Sequence, residues 1–155
     1  MKLILKQRLF TWFHSYDIYD EYGNTVFTVK GQLAWGHCLK VFDSTDNEVA
    51  MLKEKLLSFL PEFEIYINGK YEGSIKKQFT FITPKFTLDY KGWCVDGDWL
   101  QWDYSVCDGD VKIMTVSKDV LKFTDTYVID IYDDANTLSG LMIALAIDAE
   151  KCSRS

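Results

Sequence analysis

The sequence predicts a mainly β protein of the α+β kind: a closed twelve-stranded antiparallel β-barrel around a central hydrophobic C-terminal α-helix. Three observations lead there. A short apolar motif recurs six times at nearly constant spacing. The first and last strand-like segments each lack a hairpin partner. Seven consecutive apolar residues, Leu141 to Ile147, lie near the C-terminus.

The recurring motif is a bulky apolar residue, any residue, then Ile, Leu or Val. It occurs as Tyr16-x-Ile18, Leu39-x-Val41, Phe63-x-Ile65, Phe86-x-Leu88, Tyr104-x-Val106 and Tyr127-x-Ile129, with first residues 23, 24, 23, 18 and 23 apart. Alternation of this kind puts one face of a strand into a core. Turn-forming residues follow each copy: Asp20 to Asn24, Asp43 to Asn47, Asn68-Gly69, Lys91-Gly92, Asp108-Gly109 and Asp133 to Asn136. Asn-Gly and Asp-Gly supply the positive φ angles that tight hairpins need. A second alternating run follows the first five turns: Thr25 to Lys30, Glu48 to Lys53, Tyr71 to Lys77, Trp93 to Asp98 and Val111 to Ser117. Five copies therefore read as hairpins.

Two half-repeats are left over. The N-terminus reads Lys6-Gln-Arg-Leu-Phe-Thr-Trp12, so Lys2 to Leu9 looks like a second half without its first. That tail matches the one that closes other second halves, as in Lys76-Lys-Gln-Phe-Thr-Phe81 before Pro84 and, more loosely, Ser117 to Phe123. Tyr127 to Tyr132 is a first half whose partner is replaced by the apolar run. Pairing the two orphans joins the last strand to the first, and closure removes exposed strand edges. A barrel of that size has an interior too wide for side chains alone.

The apolar run fills that interior. At about 100° per residue, seven apolar positions point all round a helix, so such a helix has no solvent face. It is shorter than the roughly 20 residues that span a bilayer, which predicts a helix buried in protein and not transmembrane. The expected helix covers about residues 136–150. Asp133, Asp134 and Asn136 stand at its start, and Lys151 and Arg154 beyond its end, as capping and the helix dipole favour. One domain over residues 1–155 is expected, with strands from residue 2 to residue 132.

Charge and cysteine usage narrow the function. The net charge of −6 is uneven: residues 53–91 are net +2, whereas residues 92–150 are net −9. The acidic last third disfavours nucleic acid, whose affinity comes largely from phosphate neutralisation. The N-terminal apolar run, Leu3 to Leu5, is too short for a signal peptide. Cys38, Cys94, Cys107 and Cys152 form no C-x-x-C pair. The expectation is a cytoplasmic protein with free thiols.

The segments Phe59-Leu-Pro-Glu-Phe-Glu-Ile-Tyr66, Ile75 to Phe81 before Pro84, Gly92-Trp-Cys-Val-Asp-Gly-Asp98 with Asp103-Tyr104, Asp125 to Asp130 and Ile143 to Asp148 together carry a resemblance. They resemble the LURP-one-related family of the tubby C-terminal-like superfamily, to which phospholipid scramblases are also related. The resemblance covers nearly the whole chain and implies the twelve-stranded barrel around a C-terminal helix. It also implies a non-enzymatic binding or scaffold module whose partner is an anionic phospholipid headgroup or a protein, peripheral to the membrane. Tubby-type relatives use basic side chains on the barrel wall. The matching candidates here are Lys53, Lys55, Lys76, Lys77 and Lys85, all in the one segment that is not net acidic. The plainer reading is that outward lysines keep a barrel soluble. No arginine lies between Arg8 and Arg154, so that region lacks a bidentate phosphate fork.

An enzyme with an unrecognised surface site is the alternative. His14 and His37 lack metal-ligand spacing, and no catalytic residue, metal or cofactor is predicted. His37-Cys38 reads as a surface histidine beside a buried thiol, since adjacent strand residues face opposite ways. Glu62 and Glu64 share a strand face and could be drawn as paired carboxylates, but neighbouring lysines favour a solvated face. Asp96/Asp98 and Asp108/Asp110 lack the ligand set of a calcium loop and read as turn formers. Asp148, at the end of the apolar run, reads either as solvated or capped at the barrel mouth, or as a ligand-linked acid.

Overall fold

The computed structural model describes residues 1–6, 15–34, 36–78, 85–119 and 126–152. Expectations that rest on Arg8 to Trp12, His14, Phe81, Pro84, Phe123 and Arg154 lie outside those residues, as do the side chains of Lys85 and Cys152.

Twelve antiparallel strands form one sheet: β1 (Lys2–Lys6), β2 (Ser15–Tyr19), β3 (Thr25–Ala34), β4 (Gly36–Asp43), β5 (Glu48–Glu54), β6 (Glu62–Ile67), β7 (Lys70–Gln78), β8 (Lys85–Asp89), β9 (Cys94–Asp98), β10 (Asp103–Asp108), β11 (Val111–Asp119) and β12 (Thr126–Ile131). The orphan strands do pair, with Ile4 opposite Val128 and Leu5 opposite Tyr127. The sheet order runs β8-β7-β6-β5-β4-β3-β2-β1-β12-β11-β10-β9, which makes a nearly closed barrel.

The seam lies between β8 and β9. Sequence alternation predicts a hairpin there, yet among the described residues no ladder joins the two strands. The turn between them is itself closed, with the Trp93 N–H donating to the Tyr90 carbonyl at 3.1 Å. Tyr90 and Trp93 are buried, with their rings edge to face at 5.8 Å. Strand β9 pairs with β10 instead, Val95 opposite Val106.

Helix α1 (Thr137–Cys152) threads the barrel. Leu141 to Ile147 are at most 2% exposed on every side. Strand residues that point inward, such as Leu3, Ile18, Leu39, Leu52, Ile65 and Ile129, complete one continuous core with it. The helix is preceded by a 3-10 turn, Asp134–Asn136, whose Ala135 N–H donates to the Asp133 carboxylate. Its last turn extends further than the sequence suggests. Lys151 is helical, and its ammonium donates to the carbonyls of Trp99 at 3.2 Å and Leu100 at 2.8 Å.

The two barrel ends differ in kind. Tight polar turns close one end, at Asp20–Asn24, Asp43–Asn47, Asn68–Gly69 and Asp108–Asp110, the end where α1 begins. The other end, where α1 finishes, is the end at which β1, β3, β5, β7, β9 and β11 terminate.

Candidate functional site

The end where α1 finishes gathers the sequence-predicted lysines. Lys53 is exposed near the end of β5, opposite Glu64 of β6. Lys55 lies just past β5, where its N–H donates to the Glu62 carbonyl at 2.9 Å. Lys76 stands opposite Glu62 across β6 and β7. Lys85 opens β8 at the same end, and its side chain is outside the described residues. Lys53, Lys55 and Lys76 therefore share the outer wall.

Glu62 organises this face. Its carboxylate lies 3.5 Å from both Lys55 Nζ and Lys76 Nζ and accepts from Ser74 Oγ at 3.0 Å. Burial pushes the Glu62 carboxyl upward. The Ser74 hydrogen bond and the charges of Lys76 and Lys55 outweigh it and hold the group below its ordinary value. Glu64 accepts from the Tyr66 hydroxyl at 2.9 Å, and that bond pushes the tyrosine up. The paired carboxylates are thus engaged with lysines and hydroxyls.

Lys77 is the exception among the five. It follows Gly73 and Ile75 in the inward phase of β7 and is buried. Its ammonium pairs with Glu150 of α1 at 2.9 Å and lies 5.5 Å from the Trp99 ring centroid. A side chain locked inside in this way is not part of an outer patch. Sequence reasoning missed Glu150 as its partner.

Sequence reasoning also missed the loop beside the lysines. Between β5 and β6, Leu57 is 99% and Phe59 98% exposed, and Leu56 is exposed too. Leu100, on the 3-10 turn Trp99–Gln101 between β9 and β10, is exposed at the same end. The signal was present as Leu56-Leu57-Ser58-Phe59-Leu60, a run whose apolar residues have no strand phase to hide them.

Other expectations resolve locally. His37 Nδ1 bonds the Glu54 carboxylate on the neighbouring strand, while Cys38 is covered on the opposite face of β4 from Leu39 and Val41, across from Lys53, where burial pushes its thiol up. Asp98 accepts from the N–H groups of Leu100 and Gln101, a turn-forming role. Asp148 is half-buried near Tyr104. Burial pushes the Tyr104 hydroxyl up strongly, and the Asp148 carboxylate adds to it. An open groove of about 310 Å³ on the outer wall is lined by Asp96, Asp98, Asp103, Ser105 and Lys112 among others. Among the described residues no three His, Cys, Asp or Glu side chains cluster to hold a metal ion. None of the described helices is long and apolar enough to cross a membrane.

Comparison with known proteins agrees with this architecture. A family model described as LURP-one-related matches residues 1–148. A protein of Bacillus subtilis (strain 168), uncharacterized protein YxjI, is 32% identical over 149 residues, which is 96% of this chain and 92% of the relative. An X-ray structure of an Arabidopsis thaliana protein superposes with a TM-score of 0.65 at 17% identity, over 99% of this chain and 92% of the other. At that identity the likeness speaks for the fold alone.

Proposed function

This chain belongs to the LURP-one-related family, and from that premise we propose that it is a non-enzymatic binding module that docks on an anionic phospholipid surface from the cytoplasm. The observation that carries the reading is the juxtaposition of fully exposed Leu57 and Phe59 with Lys53, Lys55 and Lys76. Large apolar side chains held in water by a loop are unfavourable unless a partner covers them. A flat, two-sided demand for apolar contact and negative charge matches the bilayer interface, where apolar tips enter below the headgroups and lysines stay among them.

One feature supports the lipid over a folded partner. The apolar residues project from a loop, whereas protein interfaces usually bury a packed patch of similar polarity to the surface. The interior is filled by α1, so this reading places no substrate in the usual barrel cavity.

Vesicle flotation tests it. Vesicles of phosphatidylcholine with phosphatidylserine should retain the protein at low salt, and phosphatidylcholine alone should not. Phe59→Ser should weaken retention. Negligible binding to the anionic vesicles at low salt sinks the lipid reading, and saturable capture by a protein instead would replace it.

A further inference from the structure

Cys94 and Cys107 stand directly opposite each other on neighbouring antiparallel strands, the first residue of β9 facing a residue near the end of β10. Both are free thiols; Cys94 is exposed and Cys107 partly so. Their strand neighbours Val95 and Val106 face each other on the inner side, so both sulfurs lie on the outer wall. We propose that this pair is a redox site that closes to an intramolecular disulfide by exchange with a low-molecular-weight disulfide such as oxidised glutathione.

The geometry supplies the reach. Directly opposed residues in an antiparallel pair have Cα atoms about 4.5 or 5.5 Å apart, depending on the hydrogen-bonding class, and both values fall in the range of disulfides. Their Cβ atoms start about 4.5–5.5 Å apart, slightly wider than a relaxed bridge. The difference must come from movement of a strand, and β9 is the strand free to move. It is an edge of the sheet, with a ladder to β10 and none to β8 among the described residues. Beside it, the register of β10 against β11 shifts between Val106 and Cys107, a bulge that adds local twist. A bridge formed against such resistance is readily reduced, the property of regulatory rather than structural disulfides.

The exchange balances without any further reagent. The exposed Cys94 sulfur, as thiolate, attacks one sulfur of the small disulfide, whose S–S bond breaks and releases one thiol. A mixed disulfide remains on Cys94. The Cys107 sulfur then attacks the Cys94 sulfur and expels the second small thiol. The two cysteines give up two electrons, the small disulfide takes them, and the two thiol protons leave on the two products. In a reducing cytoplasm the pair rests as thiols, and an oxidising shift closes it. Closure clamps the edge strand to β10 beside the seam, so the consequence is a stiffer barrel wall there. Cys38 on β4, 5% exposed, is the internal control, because a covered thiol lies out of reach of the exchange.

The test equilibrates the full chain carrying Cys152→Ser in glutathione redox buffers, quenches, alkylates and maps peptides by mass. The expected product joins the Cys94 and Cys107 peptides with the loss of two hydrogen masses, and Cys38 remains a thiol. In that form, hydrogen exchange at the Val95–Asp98 amides should slow severalfold, and reductant should reverse it. Cys94→Ser and Cys107→Ser should each leave only a glutathione adduct on the remaining thiol. Separate glutathione adducts on both cysteines, a bridge between two molecules, or untouched thiols would each overturn the proposal.

Discussion

The ammonium of Lys77 on β7 and the carboxylate of Glu150 on α1 meet at 2.9 Å, with side chains only 6% and 1% exposed. This contact ties the barrel wall to the rod inside it. A helix that is apolar on every side has little to distinguish one rotation or axial position from another. A buried ion pair does, because misplacing either charge strands both in the core. At the opposite end of α1, the Tyr90 hydroxyl donates to Ser139 Oγ at 2.7 Å. The helix is thus pinned by polar contacts at its two ends and by packing between them.

Removing one partner of the pair should therefore hurt more than removing both. Lys77→Met or Glu150→Gln is expected to lower stability by about 3–5 kcal/mol, the usual penalty for stranding a buried charge. Lys77→Met combined with Glu150→Leu should recover most of it. Urea midpoints at unchanged slope would measure the cycle. Equal losses in the single and double variants would mean that the pair carries no coupling.

The barrel was largely legible because its signals are local and repeated. The alternation Phe63-x-Ile65 and the turn Asn68-Gly69 specify a hairpin wherever they stand, and the structure places β6 and β7 there. Helix α1 was legible because no polar face breaks Leu141 to Ile147. The seam was not, since the turn at Lys91-Gly92 does form, with Trp93 N–H bonded to the Tyr90 carbonyl, and no residue pattern marks the missing ladder beyond it. The lysine face was legible in part. Lys77 was misjudged because lysine is ordinarily outside, although its two-residue spacing from Ile75 placed it inside. Its partner lies 73 positions away, and no local pattern links them.

Gly73 tests the wall next to the seam. Its φ is +151°, and a Cβ there would sit 2.2 Å from the backbone oxygen of Asp89 on β8. Backbone cannot yield as a flexible side-chain tip can. Gly73→Ala should destabilise the protein by roughly 1–3 kcal/mol, the range for backbone strain, and speed hydrogen exchange along β8. A wild-type midpoint would show that β7 and β8 do not approach so closely in solution.

Acid should act through Glu62. Its folded-state value is held below the ordinary one, 4.5, so the unfolded chain takes up its proton first as pH falls. The stabilisation is complete above the unfolded value and is lost as pH drops from about 4.5 through the lower, folded value. Glu62→Gln should remove that part of the acid dependence, giving a flatter stability curve below that pH. Unfolding midpoints followed from neutrality down through the range below about 4.5 would reveal an identical slope in both proteins if Glu62 contributes nothing.

The same residue separates the two forces in the proposed lipid contact. Phe59 supplies apolar area, so Phe59→Ser should weaken vesicle binding by roughly tenfold or more, from about 1.5–3 kcal/mol for a fully buried side chain, and leave the salt dependence unchanged. Lys55→Gln with Lys76→Gln should weaken it through charge, at about 1 kcal/mol per lysine near an anionic surface, and should flatten the salt dependence. Glu62→Gln removes the carboxylate that lies 3.5 Å from both ammonium groups. It should therefore strengthen binding to phosphatidylserine vesicles and steepen the salt dependence, a gain that damage to the fold cannot mimic. If Glu62→Gln instead binds as weakly as the lysine variants, the lysines serve Glu62 as structural partners and the anionic surface does not see them.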